Sequence, residues 1–403
     1  MPKKLVIVCL INFFIAAVMG LTLRFSFIDS IDINYRFLTH AHSHVAMLGW
    51  VYLMLYVLFV HYFVPEKLKV FNRLFWLTEV AVIGMMLTFP FQGYAAISIT
   101  FSTLHIFCSY YFVYLIWKHC KTSSNVSQKL LKTALLFMVV STFGVWCLGP
   151  AVATLGQSSA FYQIAIQFFL HYQFNGWFLI AVLVVFFHLL QVENSKIFKQ
   201  FFWLLIASTL LTFALPTQWF APHDSLLWIN GFGVVIQILA LYKCFQLIKP
   251  KINTLTNQKN KLIFYMYCFA LICFVFKVVF QSLSILPEFS QVVYEHRNFV
   301  IGFIHLLMLG VISGFLFAFI LKTDLVTVSK SLTFGVYSFV LGFVLTELLL
   351  LIQGIKYYFK SGILTEYYLL LFLFSILLPL GISFILLNII KSKKYATSAT
   401  KKT

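Results

Sequence analysis

Apolar runs about 20 residues long, the length that crosses a hydrocarbon core, follow one another along this chain with short polar breaks between them. They lie near 5–27, 38–62, 72–93, 96–117, 131–153, 160–190, 199–218, 225–248, 261–285, 297–321, 331–353 and 364–391. The pattern predicts an all-α polytopic membrane protein of twelve transmembrane helices, with residues 1–403 as a single helical domain. The weakest break is Gln92-Gly93-Tyr94, between the third and fourth spans, and the breaks holding Pro90 and Pro216 read as short outer loops. No loop exceeds about 15 residues, so there is no room for a soluble catalytic or nucleotide-binding domain. A Gly-rich phosphate loop is absent as well, which argues against an ATP-driven pump. No internal repeat stands out, and that weighs against the usual transporter architecture.

Composition narrows the class further. At 62% hydrophobic and 10% charged residues, the chain lies outside the range of soluble domains. The 48 phenylalanines suit a lipid-facing surface. The net charge of +18 sits in the breaks rather than on a basic face, so the partner it implies is membrane lipid and not nucleic acid. Of the 29 Lys and Arg, all but Arg24, Arg36, Lys277, Arg297, Lys356 and Lys360 fall at the N-terminus, in alternate loops or in the C-terminal tail. The positive-inside rule then puts both termini in the cytoplasm, with the chain in a bacterial inner membrane. Met1-Pro-Lys-Lys and the apolar run after it read as an uncleaved first span. The seven cysteines form no Cys-x-x-Cys pair and read as small apolar filler.

Four histidines fall inside the spans: His44, His105, His171 and His305. All lie on even-numbered spans, roughly 9 to 17 Å below the outer membrane edge by helical rise. Ionisable groups in a bilayer are costly and mark sites, and imidazoles at one depth suggest ligands for a metal or a haem iron. The second span opens Thr39-His-Ala-His-Ser-His-Val-Ala-Met-Leu-Gly-Trp50, where His40 and His44 share a face and His42 points elsewhere, near the headgroups. The tenth reads Arg297-Asn-Phe-Val-Ile-Gly-Phe-Ile-His305-Leu-Leu-Met-Leu-Gly310. Both therefore place a glycine five residues after the histidine, where a flat macrocycle or another helix can approach. His44 and His305 could hold a haem iron from two sides, with Arg36 and Arg297 pairing the propionates or serving as interfacial anchors. The sixth span carries His171-Tyr-Gln-Phe-Asn175-Gly-Trp177, a polar patch that needs partners inside the bundle. Glu79, Lys277 and Glu347 are further intramembrane charges, and by depth Lys277 and Glu347 could pair. A carboxylate at Glu79 could begin a proton path from the cytoplasm. His61, His119, His188, His223 and His296 read as surface residues.

Twelve helices, cytoplasmic termini and outer-half histidines on the second, sixth and tenth together resemble subunit I of the haem-copper oxidase superfamily. The related NnrS family of twelve-helix haem and copper proteins is a close second resemblance. Carried over by position, the resemblance implies that His44 and His305 are axial haem ligands and His171 a copper-side ligand. It gives His105, the fourth candidate metal ligand, no counterpart. The chain departs from the family where the seventh span lacks a His-His pair, the tenth has one buried histidine, and Asn175 stands where many oxidases have Tyr. A complete haem-copper binuclear centre is therefore not expected. The reading is a haem-binding membrane protein in electron transfer or nitric oxide handling, with a respiratory-chain donor or oxidase subunits as partners. Two alternatives are a proton-coupled secondary transporter and an accessory protein that hands metal or haem to an oxidase.

Overall fold

In the computed structural model, residues 1–66, 68–258, 260–323 and 325–392 are described. Twelve helices are long and apolar enough to cross a membrane. They are α1 (Lys3–Phe25), α2 (Tyr35–Phe63), α3 (Lys69–Gln92), α4 (Ala96–His119), α5 (Asn125–Leu155), α6 (Ala160–Leu189), α7 (Lys196–Gln218), α8 (Asp224–Thr256), α9 (Lys261–Ile285), α10 (Arg297–Lys322), α11 (Lys330–Tyr358) and α12 (Tyr367–Lys391). The boundaries follow the apolar runs to within a few residues at most ends, and the count of twelve is as expected. The weak break between α3 and α4 is real. Gly93 takes φ +60° there, a conformation open to glycine, and a Cβ at that position would strike the Phe37 ring. Pro90 lies in the last turn of α3 rather than in a loop. Pro216 lies in a short helical piece, Ala214–Gln218, after the chain breaks at Leu211.

Three helices are far more buried than the rest. Along their most apolar stretch α2, α6 and α10 are 78%, 83% and 83% buried, against half or less for every other span. The same three change helical register in mid-span. In α2 the α-helix ends at His44 and a π segment runs Val45–Tyr52. In α6 it ends at His171, with a π segment at Tyr172–Phe178. In α10 it ends at His305, with a π segment at Leu306–Ile312. The wider i→i+5 bonds are explicit where the segments end: Leu179 N–H donates to the Phe174 carbonyl and Ser313 N–H to that of Met308. Such segments inside α-helices concentrate at functional sites. No repeat stood out in the sequence, yet this local one recurs at every fourth helix.

The described residues pack as two compact units, Met1–Lys121 with those from Leu316 to Ser392, and Thr122–Phe315. In the first, Phe13 of α1 stacks on Trp50 of α2 at 4.6 Å between centroids, and Phe317 and Phe339 close around them. Outside the spans, Glu66 takes a hydrogen bond from Lys121, which holds its carboxyl below the usual carboxylate range. Glycines bring α11 and α12 together: a Cβ on Gly381 would lie 2.6 Å from both the Gly335 carbonyl oxygen and the Phe339 amide nitrogen. Backbone cannot yield as a side chain can, so Gly381→Leu is expected to destabilise the protein by about 1–3 kcal/mol or more. A lowered melting temperature in detergent would show it, and an unchanged one would contradict this packing. In the second unit, Phe186 of α6 packs between Tyr267 and Phe315 at 5.4 and 4.8 Å.

Candidate site at the histidine-bearing central helices

Each of the three most buried helices divides at its histidine. On its C-terminal side, Leu53–Leu58 and Leu179–Phe187 are buried throughout. On its N-terminal side, burial falls away. Only Leu38 and Ala41 are buried in Tyr35–His44, only Ala165 in Ala160–His171, and no residue in Arg297–His305. The histidines thus sit where a packed interior gives way to half-exposed helix.

His44 is half-buried, and its Nδ1 lies 2.8 Å from the carbonyl oxygen of His40, one turn above. A carbonyl only accepts, so Nδ1 carries the proton and Nε2 keeps its lone pair. Metal-binding histidines use this arrangement: one nitrogen tied to a fixed acceptor, the other free to ligate. Nε2 is covered by the Tyr94 hydroxyl, which donates to it across 3.3 Å. The Phe89 ring lies 4.5 Å away and Tyr94 also contacts His40. Tyr94 comes from the short α3–α4 break, and only that weak polar break hinted at it in the sequence. Arg36 is exposed, one turn above His40 and within its electrostatic reach.

His42, expected near the headgroups, turns its ring to the neighbouring helix. Its Nδ1 donates to the Ala16 carbonyl at 2.8 Å, and its ring packs over Gly20, where a Cβ would come within 2.9 Å of Cε1. It is a strut between α1 and α2. His105 of α4 is 3% exposed and within electrostatic reach of His44. Its Nδ1 is 3.4 Å from the Ser109 hydroxyl, its ring meets Tyr52 edge-on at 4.7 Å, and its Nε2 has no hydrogen-bond partner. The first unit thus carries His40, His44 and His105, with His44 in electrostatic reach of the other two.

In the second unit, the π segments of α6 and α10 pack against each other, which brings the helices of His171 and His305 side by side. His171 donates through Nε2 to the Thr209 carbonyl at 2.8 Å. That carbonyl lies in the last turn before α7 breaks, where helix carbonyls lack intrahelical donors. The lone pair of His171 is therefore on Nδ1. The polar patch found its partners locally: Asn175 donates to the His171 carbonyl at 3.4 Å, while its own Oδ1 is buried without a partner. His305 is half-buried, and Arg297 is exposed at the first residue of α10.

Lys277 and Glu347, which by depth could pair, fall in different units, and each has partners in its own. Lys277, fully buried, donates to Gln281 at 2.6 Å and sits over the Phe303 ring. Glu347 has Arg24 in electrostatic reach, and Arg24 also hydrogen-bonds Ser375. Arg24, half-buried, is thus part of a polar network, where the sequence pattern marked it only as an outer-edge cation. Among the described residues, no three His, Cys, Asp or Glu side chains gather to hold a metal ion. Compared with known proteins, the chain matches no family model and no curated protein.

Proposed function

We propose that this is a haem-binding integral membrane protein resembling subunit I of haem-copper oxidases, working in electron transfer or in the handling of nitric oxide or another diatomic gas. The reading places it in a bacterial inner membrane with both termini cytoplasmic. One observation carries it: His44 stands at the start of a π turn with Nδ1 fixed by a carbonyl and the lone pair of Nε2 turned to the Tyr94 hydroxyl, which a ligand would displace. His305 stands at the same point of its own helix. Each is a candidate axial imidazole, His44 in the first unit and His305 in the second. When bound, haem supplies one-electron chemistry and, with an axial position open, gas binding. The chain's own groups orient the imidazoles, and the exposed Arg36 and Arg297 offer cations for propionates. The copper expectation rests on His171, whose Nε2 is already committed to Thr209, leaving Nδ1.

A second reading, a proton-coupled transporter, is favoured by one specific feature: none of the ion pairs among the described residues includes Glu79 or Lys277. Colour separates the two. Purified from haem-replete cells in mild detergent, the protein is expected to give a sharp Soret and α band in its reduced-minus-oxidised spectrum. Added carbon monoxide or nitric oxide then shows whether an axial position opens. A flat spectrum from folded protein overturns the haem reading.

A further inference from the structure

The π segment of α2 has a consequence beneath His44. Where a π turn returns to α-helix, the amides and carbonyls fall out of step and one carbonyl loses its helical donor. Leu53 N–H donates to the Trp50 carbonyl, so the Gly49 carbonyl is without the amide four residues on. Asn12 of α1 fills the place, with Nδ2 3.2 Å from the Gly49 oxygen. The same nitrogen donates to Glu79 Oε2 of α3 at 2.8 Å. One buried amide thus joins a freed backbone carbonyl to a carboxyl group. Asn12 is 1% and Glu79 5% exposed. The helices close tightly here: a Cβ on Gly49 would lie 2.9 Å from Val82 Cγ1 and 3.0 Å from Asn12 Cβ.

Among the described residues, none of the ion pairs gives this carboxyl a cation, since they involve Glu66 and Glu193 only. The titratable groups in the middle stretches of the helices packed around Glu79 include Cys9 on α1, His44, Tyr52 and Tyr56 on α2, and His105 and Cys108 on α4. The cations of these helices stand nearer their ends, at Lys3, Lys4 and Arg24 of α1, Arg36 of α2 and Lys118 of α4. Cys9 is in its electrostatic reach and, as a thiol, offers no positive charge. An unpaired carboxylate inside a bilayer is costly, and a bound proton removes the charge. A metal cation fits less well, because Asn12 turns an N–H donor, not an oxygen, towards both acceptors.

We propose that Glu79, held by Asn12 against the freed Gly49 carbonyl, is a proton-binding site in the membrane interior of the first unit. Gly49 lies five residues after His44, the spacing of a π turn. A charged Glu79 draws the Asn12 amide more strongly than a neutral one, so the proton's arrival or departure changes the hold on the base of the turn that carries His44. Nothing in this inference requires haem.

The test treats native membranes containing the full-length protein with dicyclohexylcarbodiimide, which modifies protonated carboxyls in apolar surroundings, over a range of pH with and without sodium chloride. Mass spectrometry then locates the adduct. Glu79 is expected to be labelled at neutral pH, the labelling falling about tenfold per pH unit once the group ionises, with no protection by sodium. Asn12→Leu removes a donor that favours the charged form, so the fall moves to higher pH. Glu79→Gln, which keeps the shape, abolishes the adduct at that peptide. Absent or pH-independent labelling of Glu79 overturns the proposal. Protection by sodium overturns it in favour of a sodium site. Haem-depleted membranes are expected to give the same labelling, so failure of the haem reading and failure of this one are distinguishable.

Discussion

Replacing His44 or His305 by alanine is expected to strip haem from the protein while leaving its helices in place. The expectation for His44 rests on how little else its ring does. It donates to a carbonyl of its own helix and accepts from a loop tyrosine, bonds each worth on the order of 1 kcal/mol net. Its loss leaves the packed half of α2, from Leu53 inwards, untouched. An axial ligand is different, since the iron has no equivalent donor to replace it, and haem absorbance per protein should fall by more than about tenfold. His42→Ala is the contrasting control. That ring ties α2 to α1 through Ala16, so the variant should lose thermal stability, yet whatever folds should keep its haem. The measurement is the pyridine-haem content of each purified variant beside its helical circular dichroism. Full haem content in both the His44 and His305 variants would remove the axial assignment. Loss of haem together with helicity would point to a structural role instead.

The helices were legible in the sequence because a bilayer imposes a length and an apolarity that few other environments require, and the charged breaks between runs are hard to mistake. The weak Gln92-Gly93-Tyr94 break depended on a backbone conformation, a positive φ at Gly93, which hydropathy does not report. The histidines were legible as anomalies, but their chemistry was not. Whether a ring is a strut or a ligand depends on which nitrogen meets a carbonyl. That depends on helix rotation, and rotation here is set by the π segments. His42 and His44 are two residues apart, and each sends Nδ1 to a carbonyl, yet one bond crosses to α1 and the other returns to its own helix. The spacing of a histidine and a glycine five residues later was visible in α2 and α10 as a gap for a neighbour. It was not visible as a change in helical register, because that change belongs to the backbone hydrogen bonds rather than to residue type. Asn12 was the quietest residue: a single amide in an apolar first span, whose two acceptors come from two other helices, α2 and α3.

That register leads to the second large effect. An α-helix turns about 100° per residue, and a π segment holds what amounts to an extra residue within a turn. Deleting Ala46, a small, half-buried residue of the segment, is expected to remove that extra residue and restore α-helical spacing, so the stretches on either side keep their facing. His44 then stays against Phe89 and Tyr94 and haem should be retained, while the Gly49 carbonyl regains a helical donor, releasing Asn12 to Glu79 alone. The pH at which Glu79 reacts with carbodiimide should therefore move. Inserting a second alanine after Ala46 does the opposite, because the segment already holds its extra residue. The stretch from Leu53 to Phe59 is buried on every side and has nowhere to turn, so the half of α2 before the insertion must rotate by about 100° instead. The insertion should abolish haem binding as completely as His44→Ala although every imidazole is still present in the chain. If the insertion keeps stoichiometric haem, the register of the π segment does not orient His44, and the recurrence of this turn in α6 and α10 has to be explained by packing alone.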